Sequence, residues 1–309
     1  MVMAWTNTLD DSMVTPSRRN RCFFLINNRI VIEVDKAKPD LIWVDQGPFL
    51  GKELLMRFKK YRVPIVNYTI DDPFNGRDYL RFKQYFKALP YYDVLAVVRN
   101  ENVGEAQKYG ARHVIRVYRS ADELAHRRRE ITEAQSNDYS RDVVFIGTWM
   151  PERGPFLSRL IELGVPVSIW GDRWQKAKEW PRLESRWRGP GIYDDDGYAA
   201  CVISARVCIG LLSKGNRDLH TTRSLEIPSL GGLLCAQRTY EHLSLYRDGE
   251  EAIFWDTPED CASACKILLT DKLMRNKIAN AGHQRALSNN HYNEPTIRYI
   301  IEQAIERKG

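Results

Sequence analysis

Short apolar runs recur along this chain at the intervals of a parallel sheet, and that rhythm limits the fold more than any composition figure does. DLIWVDQG (40–47), VPIVNYTI (63–70), DVLAVV (93–98) and HVIRVY (113–118) read as strands. Between them, FLGKELLMRFKKY (49–61), RDYLRFKQYFKAL (77–89) and NVGEAQKYG (102–110) carry helical spacing. Near-continuous apolar strands with helices between them mean βαβ units and a sheet buried on both faces. The rhythm stops at the polar stretch 119–141, which contains no buried-strand pattern. It restarts with DVVFIG (142–147), GVPVSIWG (164–171), RVCIGLL (206–212), GLLCA (232–236) and EAIFW (251–255). Three helices are expected to close the chain at about 258–270, 272–288 and 294–307.

The expectation is an α/β chain with two doubly wound domains. Their bounds are 1–119 and 142–288, with a linker over 120–141 and a terminal helical segment over 289–309. The first strand begins only at residue 40, after a polar leader and a helix-like stretch at 22–38. A doubly wound domain ordinarily opens with strand, glycine turn and helix. The N-terminal domain is therefore expected to lack that opening unit.

A length of 309 residues at 43% hydrophobic content can bury two cores. The net charge of +6 suits a partner that carries phosphate, whether nucleotide, anionic lipid headgroup or nucleic acid. Cys22, Cys201, Cys208, Cys235, Cys261 and Cys265 form no CxxC pair and no metal-like spacing, so they read as buried thiols in a reducing compartment. Cys261 and Cys265, one helical turn apart, read as core. No apolar run approaches the roughly 18 residues of a membrane span, and the first 20 residues do not form a signal peptide. A cytoplasmic protein without a metal is the expectation.

In open α/β sheets ligands bind beyond the carboxyl ends of the strands, and four such ends carry unusual residues. In TIDDPFNGRD, Asp71 and Asp72 follow a strand. They suit either a helix cap or a carboxylate that takes a proton from an acceptor hydroxyl. In FIGTWMPERGPFLSRL, Gly147 ends a strand and a helix begins near Glu152, offering backbone N–H groups to an anion. Arg153 in that first turn opposes the helix dipole, at a cost of a few tenths of a kcal/mol unless an anion compensates. In SIWGDRW and the residues after it, Trp170, Trp174, Trp180 and Trp187 alternate with Arg173, Arg182, Arg186 and Arg188. Such a surface can meet nucleic acid or a membrane, although tryptophans half-buried under arginine stems are the preferred reading.

The fourth end, GNRDLHTTRSLEIPSLGG (215–232), is the richest. Asn216, Arg217, Asp218, His220 and Arg223 precede or open a helix that carries Glu226, with Thr221 or Thr222 as its N-cap. Lys214, Arg217 and Arg223 place three cations around a helix N-terminus, which suits a diphosphate. Glu226 can accept from a ribose diol. YDDDGY (193–198) offers a DxD pair but precedes a helix, where acids favour the dipole.

These segments resemble the CgeB-like (spore maturation protein) glycosyltransferases of the GT-B fold. The motifs that carry the resemblance are PDLIWVDQG, NYTIDDPF, YYDVLAVVRNENV, VVFIGTWMPERGPFL, NRDLHTTRSLEIPSLGGLLCAQRTYEHLSLYRDGEEAIFW and IANAGHQRAL, covering about residues 39 to 288. It implies two Rossmann-like domains facing a cleft, the first for an acceptor and the second for a nucleotide-sugar donor. No cofactor beyond that donor is implied, and the last helix is expected to return to the N-terminal domain. The spacing D-x7-E is similar to the E-x7-E of retaining GT-B enzymes, with Glu226 holding the ribose and Asp218, here replacing Glu, facing the sugar.

The resemblance matches Arg153, Lys214 and Arg223 to diphosphate-binding cations that act without a metal. The expected donor-binding set is Gly147, Arg153, Lys214, Asn216, Arg217, His220, Thr222, Arg223 and Glu226. Asp218, Arg223 and Asp72 are expected to act on the reacting groups. Three other readings stand beside sugar transfer: a nucleotide-sugar epimerase or hydrolase, a catalytically silent nucleotide-sugar-binding or scaffold protein, and a nucleic-acid binder using HRRRE (126–130). The last has scattered basic residues and no recognised motif. The Arg/Trp surface leaves a membrane-bound acceptor open without pointing to one, and the oligomeric state is not readable.

Overall fold

The computed structural model describes residues 16–77 and 79–307, with side chains from residue 27 onward. Most of the polar leader and the Cys22 side chain lie outside the described residues. The chain forms two compact units. The first holds the residues up to Tyr118 together with Gly215–Arg217 and the segment from Thr296 on, and the second holds Arg119–Lys214 and Asp218–Pro295.

In the first unit, α1 (Pro16–Ala37) precedes β1 (Ile42–Asp45), α2 (Lys52–Phe58), β2 (Ile65–Thr69), α3 (Tyr79–Ala88), β3 (Val94–Val97), α4 (Asn100–Lys108) and β4 (Val114–Arg116). The strands are parallel and neighbour one another in chain order, β1-β2-β3-β4. Side chains alternate across a strand, so each face of the sheet has its own core. Ile42, Val44, Ile65 and Leu95 pack with Leu54, Leu55, Phe58 and Phe82 from the helices on one side. On the other face Trp43, Val66, Val94 and Ala96 meet Ile300 and Ala304, which come from the last helix of the chain, Asn293–Glu306.

The second unit runs α5 (Glu133–Tyr139), β5 (Val143–Ile146), α6 (Arg153–Glu162), β6 (Val167–Trp170), α7 (Trp180–Leu183), β7 (Trp187–Gly189) and α8 (Asp195–Ser204). It continues with β8 (Val207–Gly210), α9 (Arg223–Ser229), β9 (Leu234–Gln237), α10 (Tyr240–Leu245), β10 (Ile253–Trp255), α11 (Pro258–Thr270) and α12 (Lys272–Asn289). Its six parallel strands lie in the order β10-β9-β8-β5-β6-β7. The chain therefore winds outward from β5 in one direction, returns, and winds outward from β8 in the other. Between β5 and β8 lies the switch point where open α/β sheets bind their ligands. Val143, Phe145, Leu157, Val167, Ile209 and Cys235 belong to its main core.

All nine expected strands are present, and among the described residues β7 is an unexpected tenth. The segment 120–141, expected as a linker, belongs to the second compact unit. There α5 opens with a capping box between Thr132 and Gln135 and packs against α8. The Trp/Arg stretch is largely spent inside the unit. Trp174 is fully buried and its Nε1 donates to the Gly147 carbonyl at 3.0 Å, while Trp187 donates to Gly171 at 2.9 Å. Gly171 has no tolerance for a side chain, because a Cβ there would lie 1.9 Å from the Gly147 carbonyl oxygen and φ is +149°. Of the YDDDGY acids, Asp194 caps α8 by accepting from the Gly197 N–H. Among the described residues no helix is long and apolar enough to cross a membrane.

Candidate functional site

The loops that leave β5 and β8 part company at the switch point, and they carry most of the expected site residues. Gly147 follows β5, with its N–H donating to Trp170 at 2.9 Å. Arg153 is the first residue of α6 and is only 8% exposed. Its guanidinium donates to the carbonyls of Thr148 at 2.8 Å, Leu211 at 3.4 Å and Leu212 at 3.5 Å, and it makes no ion pair among the described residues. Part of the compensation expected from an anion thus comes from main-chain carbonyls. Burial lowers the Arg153 pKa, with Glu152 and Asp218 pulling the other way and Arg223 adding to the fall.

After β8, Lys214 donates its backbone N–H to Glu152 at 2.9 Å, and its side chain is exposed. A cavity of about 340 Å³ opens between these loops and the ends of β9 and β10, lined by Arg153, Phe156, Lys214, Gln237, Trp255 and Asp256. Phe156 and Trp255 stack in it, with ring centroids 4.5 Å apart. Three buried donors in this neighbourhood, Arg153 Nε, Ser213 Oγ and Trp255 Nε1, have no partner among the described residues. An unsatisfied buried donor costs about 1–3 kcal/mol, so an acceptor-rich ligand would be stabilised here.

Arg223 opens α9 and Glu226 lies one turn along it. The two pair with each other, and the Glu226 Oε2 also accepts from the Tyr198 hydroxyl at 2.9 Å. Glu226 Oε1 faces His126 Nε2 at 3.7 Å. The Arg223 guanidinium lies 4.6 Å over the Tyr198 ring and donates to the Ile146 carbonyl at 3.3 Å. Burial opposes its charge, but Tyr198 and Glu226 outweigh burial and its pKa is raised. Thr222 is the N-cap residue as expected, yet it has helical φ and ψ and its hydroxyl makes no cap bond. Ser224 takes part of that role, its Oγ accepting from the Thr221 N–H at 3.0 Å. Gly231, at φ +82°, ends the helix with an N–H to the Pro228 carbonyl at 2.9 Å.

Asp218 and His220 are buried and look inward. Asp218 pairs with Arg119 at 3.1 Å. His220 Nε2 accepts from the Arg119 N–H at 3.0 Å, so its proton lies on Nδ1, which faces Glu241 at 2.5 Å. Its basic nitrogen is therefore already used, and His220 acts as a brace for Arg119 where donor contact was expected. Nearby, His242 Nδ1 donates to the Gln237 carbonyl at 2.6 Å and Nε2 accepts from Ser224 at 2.8 Å.

Asn216, Arg217 and Asp72 are the remaining expected site residues. They belong to the first unit, where Arg217 grips Asp72 through Nε at 2.5 Å and Nη2 at 2.9 Å and also bonds Glu105. Asp72 further accepts from Asn102 at 3.0 Å and from the Phe74 N–H at 3.1 Å. Both of its oxygens are occupied, so the acceptor-facing role expected of Asp72 gives way to that of an anchor. Asn216 accepts from Arg77 at 3.3 Å. Tyr198, Arg119, Glu241 and His242 escaped the sequence reading. The visible signals were the Glu–His pair inside TYEHL and the tyrosine that ends YDDDGY, with none for Arg119.

Residues 153–302 match the family model described as glycosyl transferase-like. That segment, just under half of the chain, is similar to a glycosyltransferase domain. No curated protein sequence matches the chain. Among solved structures it is similar to sucrose-phosphate synthase from Thermosynechococcus elongatus, at 13% identity and a TM-score of 0.67, over 96% of this chain and 80% of that one. It is also similar to Anabaena HepE, solved with UDP-glucose, at 14% identity and a TM-score of 0.63, over 89% and 80%. A third is the UDP-forming trehalose-phosphate synthase of Burkholderia xenovorans with glucose-6-phosphate, at 13% identity and a TM-score of 0.60, over 93% and 80%. The two parallel sheets are those of the GT-B fold.

Proposed function

We propose that this protein transfers a sugar from a nucleoside-diphosphate sugar to an acceptor, as a CgeB-like, metal-independent and retaining enzyme. The observation that carries this reading is Arg153, a buried guanidinium at the switch point whose hydrogen-bond partners among the described residues are main-chain carbonyls. An unpaired buried charge is costly, and a diphosphate is the partner that a cation at a helix N-terminus between β5 and β8 suits best. Arg223 and Lys214 supply further positive charge from the second loop. As the glycosidic bond breaks, charge grows on the diphosphate, and fixed cations stabilise it without a metal.

Glu226 Oε1 is the acceptor for a ribose diol, since Oε2 is taken by Tyr198 and Arg223. Retention rests on the likeness of Asp218 and Glu226 to the E-x7-E pattern. UDP-sugars are the first donors to try because HepE was solved with UDP-glucose, and sugar phosphates are the first acceptors because of the trehalose-phosphate synthase neighbour. A cytoplasmic setting is supported by Cys201, Cys208, Cys235, Cys261 and Cys265 being free thiols. The test is release of nucleoside diphosphate from a donor panel with and without added sugar phosphates. Release that depends on an acceptor is expected, and none from any donor–acceptor pair would reject the reading.

A further inference from the structure

Three thiols that are distant in sequence meet in the second unit. Cys235 on β9 and Cys261 and Cys265 on α11 place their sulfurs all within 4.8 Å of one another. The sequence displays only the helical pair, and the strand supplies the third member from 26 residues upstream of Cys261. All three side chains are fully buried, with Val207, Ile209, Leu268 and Ile278 in the same apolar core. The thiols contact one another, and no His, Asp or Glu of the described residues joins the group. Cys201 and Cys208, also buried and free, stand outside it.

A donor set of sulfur alone is soft and selects among thiophilic ions. Structural zinc takes four ligands and catalytic zinc keeps a water in the fourth position. Here there are three sulfurs, no fourth Cys, His, Asp or Glu ligand among the described residues, and an apolar surround. Such a set suits a d10 monocation that accepts low coordination. We propose that Cys235, Cys261 and Cys265 form a three-coordinate site for Cu(I), independent of the sugar-transfer reading. Binding with two thiolates and one thiol releases two protons to solvent and leaves one net negative charge. No electron moves, because the ion arrives and stays as Cu(I). Occupancy ties α11 to β9, so the folded state is stabilised over the unfolded one by mass action.

The test is an anaerobic titration of the reduced full chain, carrying Cys22→Ala throughout, against the Cu(I)–bicinchoninate complex. One equivalent of Cu(I) is expected to transfer to the protein, with a rise in thermal midpoint. Cys208→Ala is expected to leave the transfer unchanged. Cys235→Ala or Cys265→Ala is expected to weaken it more than the roughly 10–100-fold loss typical of an outer partner. Equal copper uptake by the parent and by the double variant Cys235→Ala/Cys265→Ala would overturn the site. Should either variant fail to fold, X-ray absorption of the parent loaded with one Cu(I) decides. Three sulfur neighbours support the site, and two sulfurs or any nitrogen or oxygen neighbour contradict it.

Discussion

The hydroxyl of Tyr198 on α8 donates to the carboxylate of Glu226 on α9 at 2.9 Å, with the Arg223 guanidinium stacked over the same tyrosine ring. One aromatic side chain therefore orients both charged residues of the first turn of α9. Removing only the hydroxyl, in Tyr198→Phe, takes a hydrogen bond from a buried carboxylate. A loss of about 1.5–3 kcal/mol in urea unfolding is expected, with Arg223 still stacked on the ring. Unchanged stability would mean that the bond contributes nothing.

Arg223 and Arg153 approach the switch point from different loops, and the proposed chemistry uses both. Arg223→Ala is expected to lower turnover of the sugar donor by about 2–4 kcal/mol of transition-state stabilisation. Arg153→Ala is expected to weaken nucleoside diphosphate and nucleotide sugar alike, because it acts on the shared phosphate. A variant of either residue with full turnover would remove that residue from the mechanism.

His242 gives the fold a defined acid sensitivity. Burial holds it neutral, with its pKa lowered to about 4, against about 6.5 in an unfolded chain. Between those values the unfolded chain binds the additional proton, so stability rises with pH across that window. The contribution is fully present above the unfolded pKa and is lost as pH falls from about 6.5 to about 4. A difference of this size corresponds to on the order of 3 kcal/mol. His242→Asn keeps a donor for the Gln237 carbonyl and does not titrate. Urea midpoints of parent and variant at pH 7 and pH 5 should therefore show a smaller acid loss in the variant. Equal losses would assign the sensitivity elsewhere.

Much of this architecture was readable in advance because a parallel sheet buried on both faces writes itself as apolar runs. VVFI at 143–146 and VCIG at 207–210 are wholly buried strands and stood out for that reason. Strand β7, Trp187–Gly189, did not, since a three-residue edge strand that is partly exposed leaves no such run. The loops after β5 and β8 stood out in the sequence for their charges, the Gly147 turn and the family resemblance, and Gly147, Arg153, Lys214, Arg223 and Glu226 all lie in the second unit. Partners were not legible. Nothing local links Arg217 to Asp72, His220 to Glu241 or Cys235 to Cys261, because each pair is made by tertiary contact across at least 21 residues of chain.

The junction of the β5 and β6 loops makes a further demand on sequence. In Gly171→Ala the new methyl group would meet the Gly147 carbonyl, the acceptor of the Trp174 indole. Overpacking of this kind typically costs about 1–3 kcal/mol, and a side chain at this positive φ adds about 1–3 kcal/mol more. A fall in thermal midpoint is expected, together with weaker nucleotide binding as the Gly147 turn shifts. An Ala variant with parental stability would show that the turn yields easily.

The most direct measurement is calorimetric binding of UDP, GDP, ADP and dTDP, with their common sugar conjugates, to the parent and to Glu226→Ala. Selective binding of one nucleoside diphosphate by the parent, lost or strongly weakened in the variant while the variant stays folded, is the result expected here. Binding of none of them, or equal binding by both proteins, would contradict a donor site built on the first turn of α9.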